Sequence, residues 1–193
     1  MFSLEITLLT VAASVIFVVF LVSAYIFFVY KWGRPQAYYY KDRPFIFGHR
    51  GSPTKVTENT IKSFEESIKQ GVDGLEFDIR MTKDKKIVIF HDSDLSRLSK
   101  QLDKIRNLSL AELQAVELQG SENQLQGVYI PSLNDIIPLF DYIKVLNIEI
   151  KSDGPFKEHD ILKPLINFLN KHQIDDKCII SSFNPLILMR LRL

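Results

Sequence analysis

The feature that most restricts this chain is a run of 25 residues, Ile6 to Tyr30, without a single charged side chain. The run is dense in Val, Ile, Leu and Phe, and a helix that is apolar on every side has no place on the surface of a soluble domain. At 1.5 Å per residue it would reach ~37 Å, enough to cross a hydrocarbon core of ~30 Å with some tilt. Glu5 is the only charged side chain before it, and Lys31 is the first basic residue. A cleaved signal peptide is the competing reading, because Val22-Ser23-Ala24 resembles a small-residue cleavage site. Against it, no basic segment precedes the run, which exceeds the ~7–15 residues of a signal core and stays apolar beyond Ala24. Residues 1–30 are therefore read as a retained single-pass membrane anchor. Lys31, Arg34, Lys41 and Arg43 follow, interleaved with Trp32, Tyr38, Tyr39 and Tyr40. Basic residues stay on the cytoplasmic side and aromatic rings sit at headgroup depth, so the main body is expected in the cytoplasm. The three tyrosines could equally pack against the domain that follows.

Beyond the anchor the composition is ordinary. The 24 Lys and Arg against 23 Asp and Glu give a net charge of +1, so no basic surface marks a nucleic-acid partner. One cysteine, Cys178, excludes an internal disulfide and a cysteine-rich zinc site. Residues 31–44 read as a juxtamembrane linker closed by Pro44. From there short apolar runs at 45–47, 74–79, 87–90, 145–150 and 178–182 alternate with amphipathic stretches, which predicts five strands in a covered parallel sheet. Ile61, Phe64 and Ile68 fall at helical spacing with Gly71 as a stop, and Ser109 with Glu112 forms a capping box opening a helix within a 101–120 detour. Leu133, Ile136, Ile137 and Phe140 mark a helix that Pro138 should kink or shorten. Asp160 is expected to cap a helix bearing Leu162, Leu165, Ile166 and Leu169, with Pro164 in its first turn. Asn184-Pro185 should open the last one. The alternation gives an α/β fold with right-handed crossovers.

Four segments at predicted strand ends could do chemistry: Gly48-His49-Arg50-Gly51 with Glu58-Asn59-Thr60 after it, Glu76-Phe77-Asp78, His91-Asp92, and Glu149-Ile150-Lys151. Residues two apart on a strand share a face, so Glu76 projects with Asp78 and Glu149 with Lys151. Carboxylates in an apolar strand are costly without a cation or protons. Glu76, Asp78 and Glu149 would offer hard oxygen ligands for Mg²⁺ or Ca²⁺. His49 and His91 can titrate near neutrality and divide acid and base duty, whereas His159 and His172 read as structural. Arg50 and Lys151 supply fixed positive charge for a phosphate. Such a set suits in-line attack at a phosphodiester, and no P-loop, serine elbow or dinucleotide glycine motif competes with it.

These motifs together resemble the glycerophosphodiester phosphodiesterase family, marked by an HRG turn, an E-N-T, an E-x-D strand, a strand ending in HD and an E-x-K strand, here spread from Phe45 to about Pro185. The resemblance implies a TIM-barrel hydrolase that splits glycerophosphodiesters into an alcohol and glycerol 3-phosphate with Mg²⁺ or Ca²⁺. Glu76, Asp78 and Glu149 would be metal ligands, His49 and His91 the acid/base pair, Arg50 and Lys151 the phosphate holders, and Glu58 and Asn59 would act near them. In the family the substrate's 2-hydroxyl is thought to attack phosphorus, giving a cyclic phosphate that water opens. An N-terminal anchor resembles the membrane-bound branch, some members of which act on lysophospholipids as lysophospholipase D. Two departures stand out: Thr57 replaces the usual proline before E-N, and the T-x-D-G turn appears as Thr82-Lys83-Asp84-Lys85, without its glycine.

Residues 45–193 number 149, against ~250 for a full eight-stranded barrel. The expectation is thus a TIM-barrel-like (β/α) domain truncated to about five of eight strands, a fragment or shortened product that is poorly stable alone. Two alternatives to the hydrolase remain: a lyase that releases the cyclic phosphate, and an inactive membrane-anchored fragment.

Overall fold

The computed structural model describes residues 2–29, 43–119, 128–154 and 159–192, which form two compact units, Met1–Arg43 and Pro44–Leu193. In the first, helix α1 runs over Phe2–Val29, and its side chains are exposed from Glu5 through Ser23. Over Glu5–Ile26 it is long and apolar enough to cross a membrane, as an anchor or a signal sequence would be. Two of its hydroxyls bond back to the helix itself: Thr10 Oγ1 donates to the Thr7 carbonyl and Ser14 Oγ to that of Thr10, each at 2.8 Å. The expected interfacial residues Lys31, Trp32, Arg34, Tyr38, Tyr39, Tyr40 and Lys41 lie outside the described residues.

The second unit is α/β. Its elements are β1 (Phe47–His49), α2 (Ile61–Lys69), β2 (Gly74–Met81), β3 (Ile87–Ile89), α3 (Leu110–Gln114), β4 (Glu117–Leu118), β5 (Val128–Tyr129), β6 (Val145–Ile150), α4 (Leu162–His172), β7 (Cys178–Ser181) and α5 (Pro185–Arg192). Strands β1, β2, β6 and β7 pair in that order, all parallel, with Glu76 level with His49 on one side and Asn147 on the other. Parity sorts the residues of this sheet. Leu75, Phe77, Ile79, Leu146, Ile148 and Ile150 share one face and pack with Phe64 of α2, Leu165 of α4 and Ile187 of α5. Each such apolar side chain contributes ~1.5–3 kcal/mol by leaving water. The opposite face carries Glu76, Asp78, Arg80, Asn147 and Glu149. A second cluster, around Val88, Phe90, Leu95 and Ile105, packs the hairpin of β4 and β5 and the loop after β3.

Several expectations need correction. The third strand is antiparallel, not parallel: Ile89 pairs with Ile79 and Ile87 with Met81. Only residues 82–86 separate β2 from β3, and a parallel crossover needs a dozen or more. The first strand begins at Phe47 and not Phe45, because the Ile46 carbonyl accepts from the Asp73 and Gly74 amides, at 2.8 and 3.2 Å, at the entrance to β2. The stretch around Leu133–Tyr142 is 3₁₀ throughout, with Pro138 inside, and Ser132 N–H bonds the Asp135 carboxylate at 2.7 Å to open it. Asp160 does not cap α4. It lies in a preceding 3₁₀ turn, the cap position is Ile161 without a side-chain bond, and the Asp160 carboxylate pairs with Lys85 instead. The 101–120 detour holds a 3₁₀ turn at Ile105–Asn107 and the five-residue α3 before turning into β4, and with β4 and β5 the described strands number seven. The Ser109–Glu112 box, the Gly71 stop at φ +81° and the Asn184 cap, which accepts from the Leu186 amide at 3.1 Å, are all present.

The turn that sends β3 back places Lys85 at φ +61°, where the family pattern has glycine. A side chain there costs ~1–2 kcal/mol, partly offset by the greater unfolded-state freedom of glycine. The exposed ion pair to Asp160 contributes little. Lys85→Gly is therefore expected to raise unfolding free energy by about 0.5–1 kcal/mol in denaturant titration.

Candidate active site

Glu76, Asp78 and Glu149 converge. Each presents a carboxylate oxygen, and the three lie within 4.8 Å of one another. The sequence placed Glu76 and Asp78 at a strand end, but they sit mid-strand, because β2 continues to Met81 to build the hairpin with β3. Pairing of Asp78 with Glu149 across β2 and β6 sets the third carboxylate beside the first two. Asp78 is fully buried and Glu76 is 6 % exposed. Burial, reinforced by the charge of Asp78, pushes the Glu76 carboxyl up to about 7; the Arg50 amide pulls the other way and Glu149 adds to the rise.

Cations and amides surround the acids. Lys151 Nζ stands 2.6 Å from Glu149 Oε1 and 3.0 Å from Asp78 Oδ1, and Arg50 Nε 3.3 Å from Asp78 Oδ2. Asn59 holds Asp78 twice, donating from Nδ2 to Oδ2 at 2.8 Å and accepting the Asp78 amide at 3.3 Å. Asp78 Oδ1 is buried, and its partner is the Lys151 ammonium. A hard, oxygen-seeking divalent ion fits that set of three close carboxylates, with the raised Glu76 as its mark.

The turn after β1 is shaped by this cluster. The Arg50 amide donates both to the Glu76 carbonyl at 2.9 Å and to Glu76 Oε2 at 3.0 Å. Arg50 has φ +56° and Gly51 φ +85°; at Gly51 a Cβ would also stand 2.7 Å from the Ser63 backbone, so only glycine fits against α2. His49 is mostly exposed, its Nε2 3.7 Å from Glu76 Oε2. His91 arrives from the other direction, because antiparallel β3 carries the chain back alongside β2 until Phe90 N–H bonds the Asp78 carbonyl at 2.9 Å. Its Nδ1 lies 2.7 Å from Asp92 Oδ1. Burial disfavours the Asp92 charge, but hydrogen bonds from His91 and Arg97 outweigh it and hold the carboxyl below its usual range. Glu58 behaves alike, with Arg97 and Arg50 outweighing burial.

His91, Glu149 and Lys151 line one cavity of about 480 Å³ together with Arg80, Phe183 and Asn184. The structure thus gathers Glu76, Asp78, Glu149, Arg50, Lys151, Glu58, Asn59 and His49 around one point and sets His91 in the cavity beside it. His172 is elsewhere, against Phe168 and Phe140; the side chain of His159 lies outside the described residues. Sequence reasoning missed Arg80, which donates to the His91 carbonyl at 2.9 Å and pairs with Asp153 at 2.9 Å. The parity that singled out Glu76 and Asp78 also selects Arg80. Arg97 was missed too, and it lies in an irregular loop where no periodicity could have marked it.

Comparison with known proteins bears on the same residues. The model of the glycerophosphoryl diester phosphodiesterase family matches residues 49–193. The chain belongs to this family. A glycerophosphodiester phosphodiesterase of Caldanaerobacter subterraneus is 32% identical over 142 residues, covering 72% of this chain and 58% of the relative. One from Bacillus altitudinis is 30% identical over a similar stretch, 72% of this chain and 58% of that protein. Among solved structures, the glycerophosphodiester phosphodiesterase of Thermotoga maritima superposes with a TM-score of 0.61 at 30% identity, over 79% of this chain and 60% of that one. The chain therefore spans about three fifths of the length of such relatives, and its mostly parallel α/β sheet corresponds to part of their barrel.

The raised Glu76 has a consequence for stability. Its folded pKa exceeds the ordinary carboxyl value, so the folded state is favoured at low pH, and that advantage is lost as pH rises through about 7. In the presence of EDTA, Glu76→Gln, which still accepts from the Arg50 amide, is expected to melt on the order of 5 °C above the parent at pH 8 and level with it near pH 4. Thermal melts of both chains across that range measure the difference.

Proposed function

We propose that this chain carries the metal-binding and acid/base half of a membrane-anchored glycerophosphodiester phosphodiesterase, a hydrolase yielding glycerol 3-phosphate and an alcohol. The observation that carries the reading is the meeting of three carboxylates within 4.8 Å beside Arg50 and Lys151. Residues 1–30 would be the anchor, 31–44 the linker and 45–193 the catalytic segment, facing the cytoplasm. Glu76, Asp78 and Glu149 would hold Mg²⁺ or Ca²⁺, which when bound supplies charge to a phosphoryl oxygen. Arg50 and Lys151 orient the phosphate, the first as a forked donor and the second as a point charge. Glu58 and Asn59 keep Arg50 and Asp78 in place. As the attacking hydroxyl bonds phosphorus, its proton passes to one imidazole, the bond from phosphorus to the leaving alcohol breaks, and the other imidazole protonates the departing oxygen. Asp92, on the Nδ1 side of His91, leaves Nε2 for that exchange.

The helix near the N-terminus favours lysophospholipids as substrates, in the manner of a lysophospholipase D. Turnover of lysophosphatidylcholine and of glycerophosphocholine by the full chain in detergent tests it; the expected outcome is loss of both activities in EDTA, recovery with Mg²⁺ or Ca²⁺, and a fall of ~10²–10⁴ in kcat for His91→Ala. Activity that persists in EDTA rejects the metal role. ³¹P NMR of the products separates the hydrolase from the lyase, which would accumulate cyclic phosphate.

A further inference from the structure

Arg97 lies in the loop after β3, beside fully buried Leu95, whose amide bonds the Asp103 carbonyl at 3.0 Å and whose carbonyl accepts from Ser99 at 2.8 Å. The loop is therefore anchored in the second core, and the guanidinium projects from a fixed base. Its Nε donates to Asp92 Oδ2 at 2.6 Å. Its two terminal nitrogens grip Glu58, Nη2 to Oε1 at 2.6 Å and Nη1 to Oε2 at 3.1 Å. Each carboxylate has a second partner: Asp92 Oδ1 meets His91 Nδ1 at 2.7 Å, and Glu58 Oε1 accepts from Arg50 Nη1 at 3.0 Å. One planar cation thus joins the segment bearing His91 to the turn bearing His49 and Arg50, which come from different strands and touch the acidic cluster from different sides.

We infer that Arg97 is a positioning residue for the reaction, a three-point clamp that fixes Asp92, and through it the ring of His91, in register with Glu58 and Arg50. The inference rests on the phosphodiesterase reading for its kinetic consequence but not for the clamp itself. A guanidinium is needed, because three donors in one plane, at fixed angles, satisfy two carboxylates at once. A lysine ammonium offers charge without the fork. The competing role for Arg97 is direct: with 45% of its side chain exposed, it could bind the substrate phosphate itself. The two roles predict different kinetics, since a phosphate contact shared by ground state and transition state acts on KM, while misplacement of an acid/base group acts on kcat.

The test uses the full chain in detergent, with Arg97→Met and Arg97→Lys. The clamp predicts a fall in kcat of ~10–100-fold in both variants, with KM within ~3-fold of the parent. It also predicts that Arg97→Met costs less than ~3-fold in a His91→Ala background, since the residue acts through His91. A raised KM with kcat intact, or a full additional loss in the His91→Ala background, overturns it. Carboxyl ¹³C titration of the metal-free chain provides an arm independent of turnover: the Asp92 midpoint should rise toward the ordinary carboxyl range in Arg97→Met, and an unmoved midpoint overturns the clamp. If the parent shows no turnover while the Asp92 midpoint moves as expected, the phosphodiesterase reading fails and the clamp stands.

Discussion

Three carboxylates held within 4.8 Å of one another on a buried sheet face are the constraint on which this fold is arranged. Like charges so close, with one of the three residues fully buried, repel strongly and lose hydration, and the raised carboxyl of Glu76 is the direct expression of that cost. The sheet can hold them only because other groups answer each in turn. Lys151 stands against Glu149 and Asp78, Asn59 against the side chain and the amide of Asp78, and the Arg50 amide against Glu76. What is left unanswered is local: a Glu76 carboxyl pushed up by burial and by the charge of Asp78. A divalent cation bound there would offset that cost.

The same cluster dictates features of the backbone that seem unrelated to it. Strand β2 is longer than its parallel neighbours and buried along its whole length, because it has to present Glu76, Asp78 and Arg80 on one face and Leu75, Phe77 and Ile79 on the other. Its extension past β1 gives β3 an edge to pair with, and that antiparallel return brings Phe90 to the level of Asp78 with His91 next along the chain. Small residues of α2 matter for a comparable reason: Ser63 and Ser67 are buried where the turn through Gly48 and Gly51 passes, and Ser63 Oγ accepts from the Ser52 amide at 2.8 Å.

How much of this could be read beforehand follows from which signals are local. The two-residue repeat along 74–81 and 145–150 located Glu76, Asp78 and Glu149, because alternation within a strand is written in adjacent residues. Helix ends at Ser109, Gly71 and Asn184 were legible for the same reason. Asp160 was not, since a carboxylate suited to a cap is equally suited to a lysine 75 positions away, and the Lys85 partner is visible only in three dimensions. The antiparallel β3 was recoverable from the gap between Met81 and Ile87, but near-continuous hydrophobicity on both sides of it resembled a parallel sheet. Arg97 and Asp153 belong to irregular loops, where position is set by tertiary contacts and not by period.

The turn carrying His49 and Arg50 shows how closely the acids and the Arg50 cation are built together. Arg50 occupies a left-handed conformation that a side chain ordinarily avoids, at a cost of ~1–2 kcal/mol. Its amide, however, binds both the carbonyl and the carboxylate of Glu76, at 2.9 and 3.0 Å, which requires the chain to fold tightly over β2. The strain is thus sustained by the acidic cluster itself. Bent this way, the backbone aims the Arg50 guanidinium at Glu58 and Asp78 and leaves His49 beside Glu76. A substitution that relieved the strain by straightening the turn would carry Arg50 and His49 away from the acids together, so neither the guanidinium nor the imidazole can be tuned independently of the carboxylate beneath them.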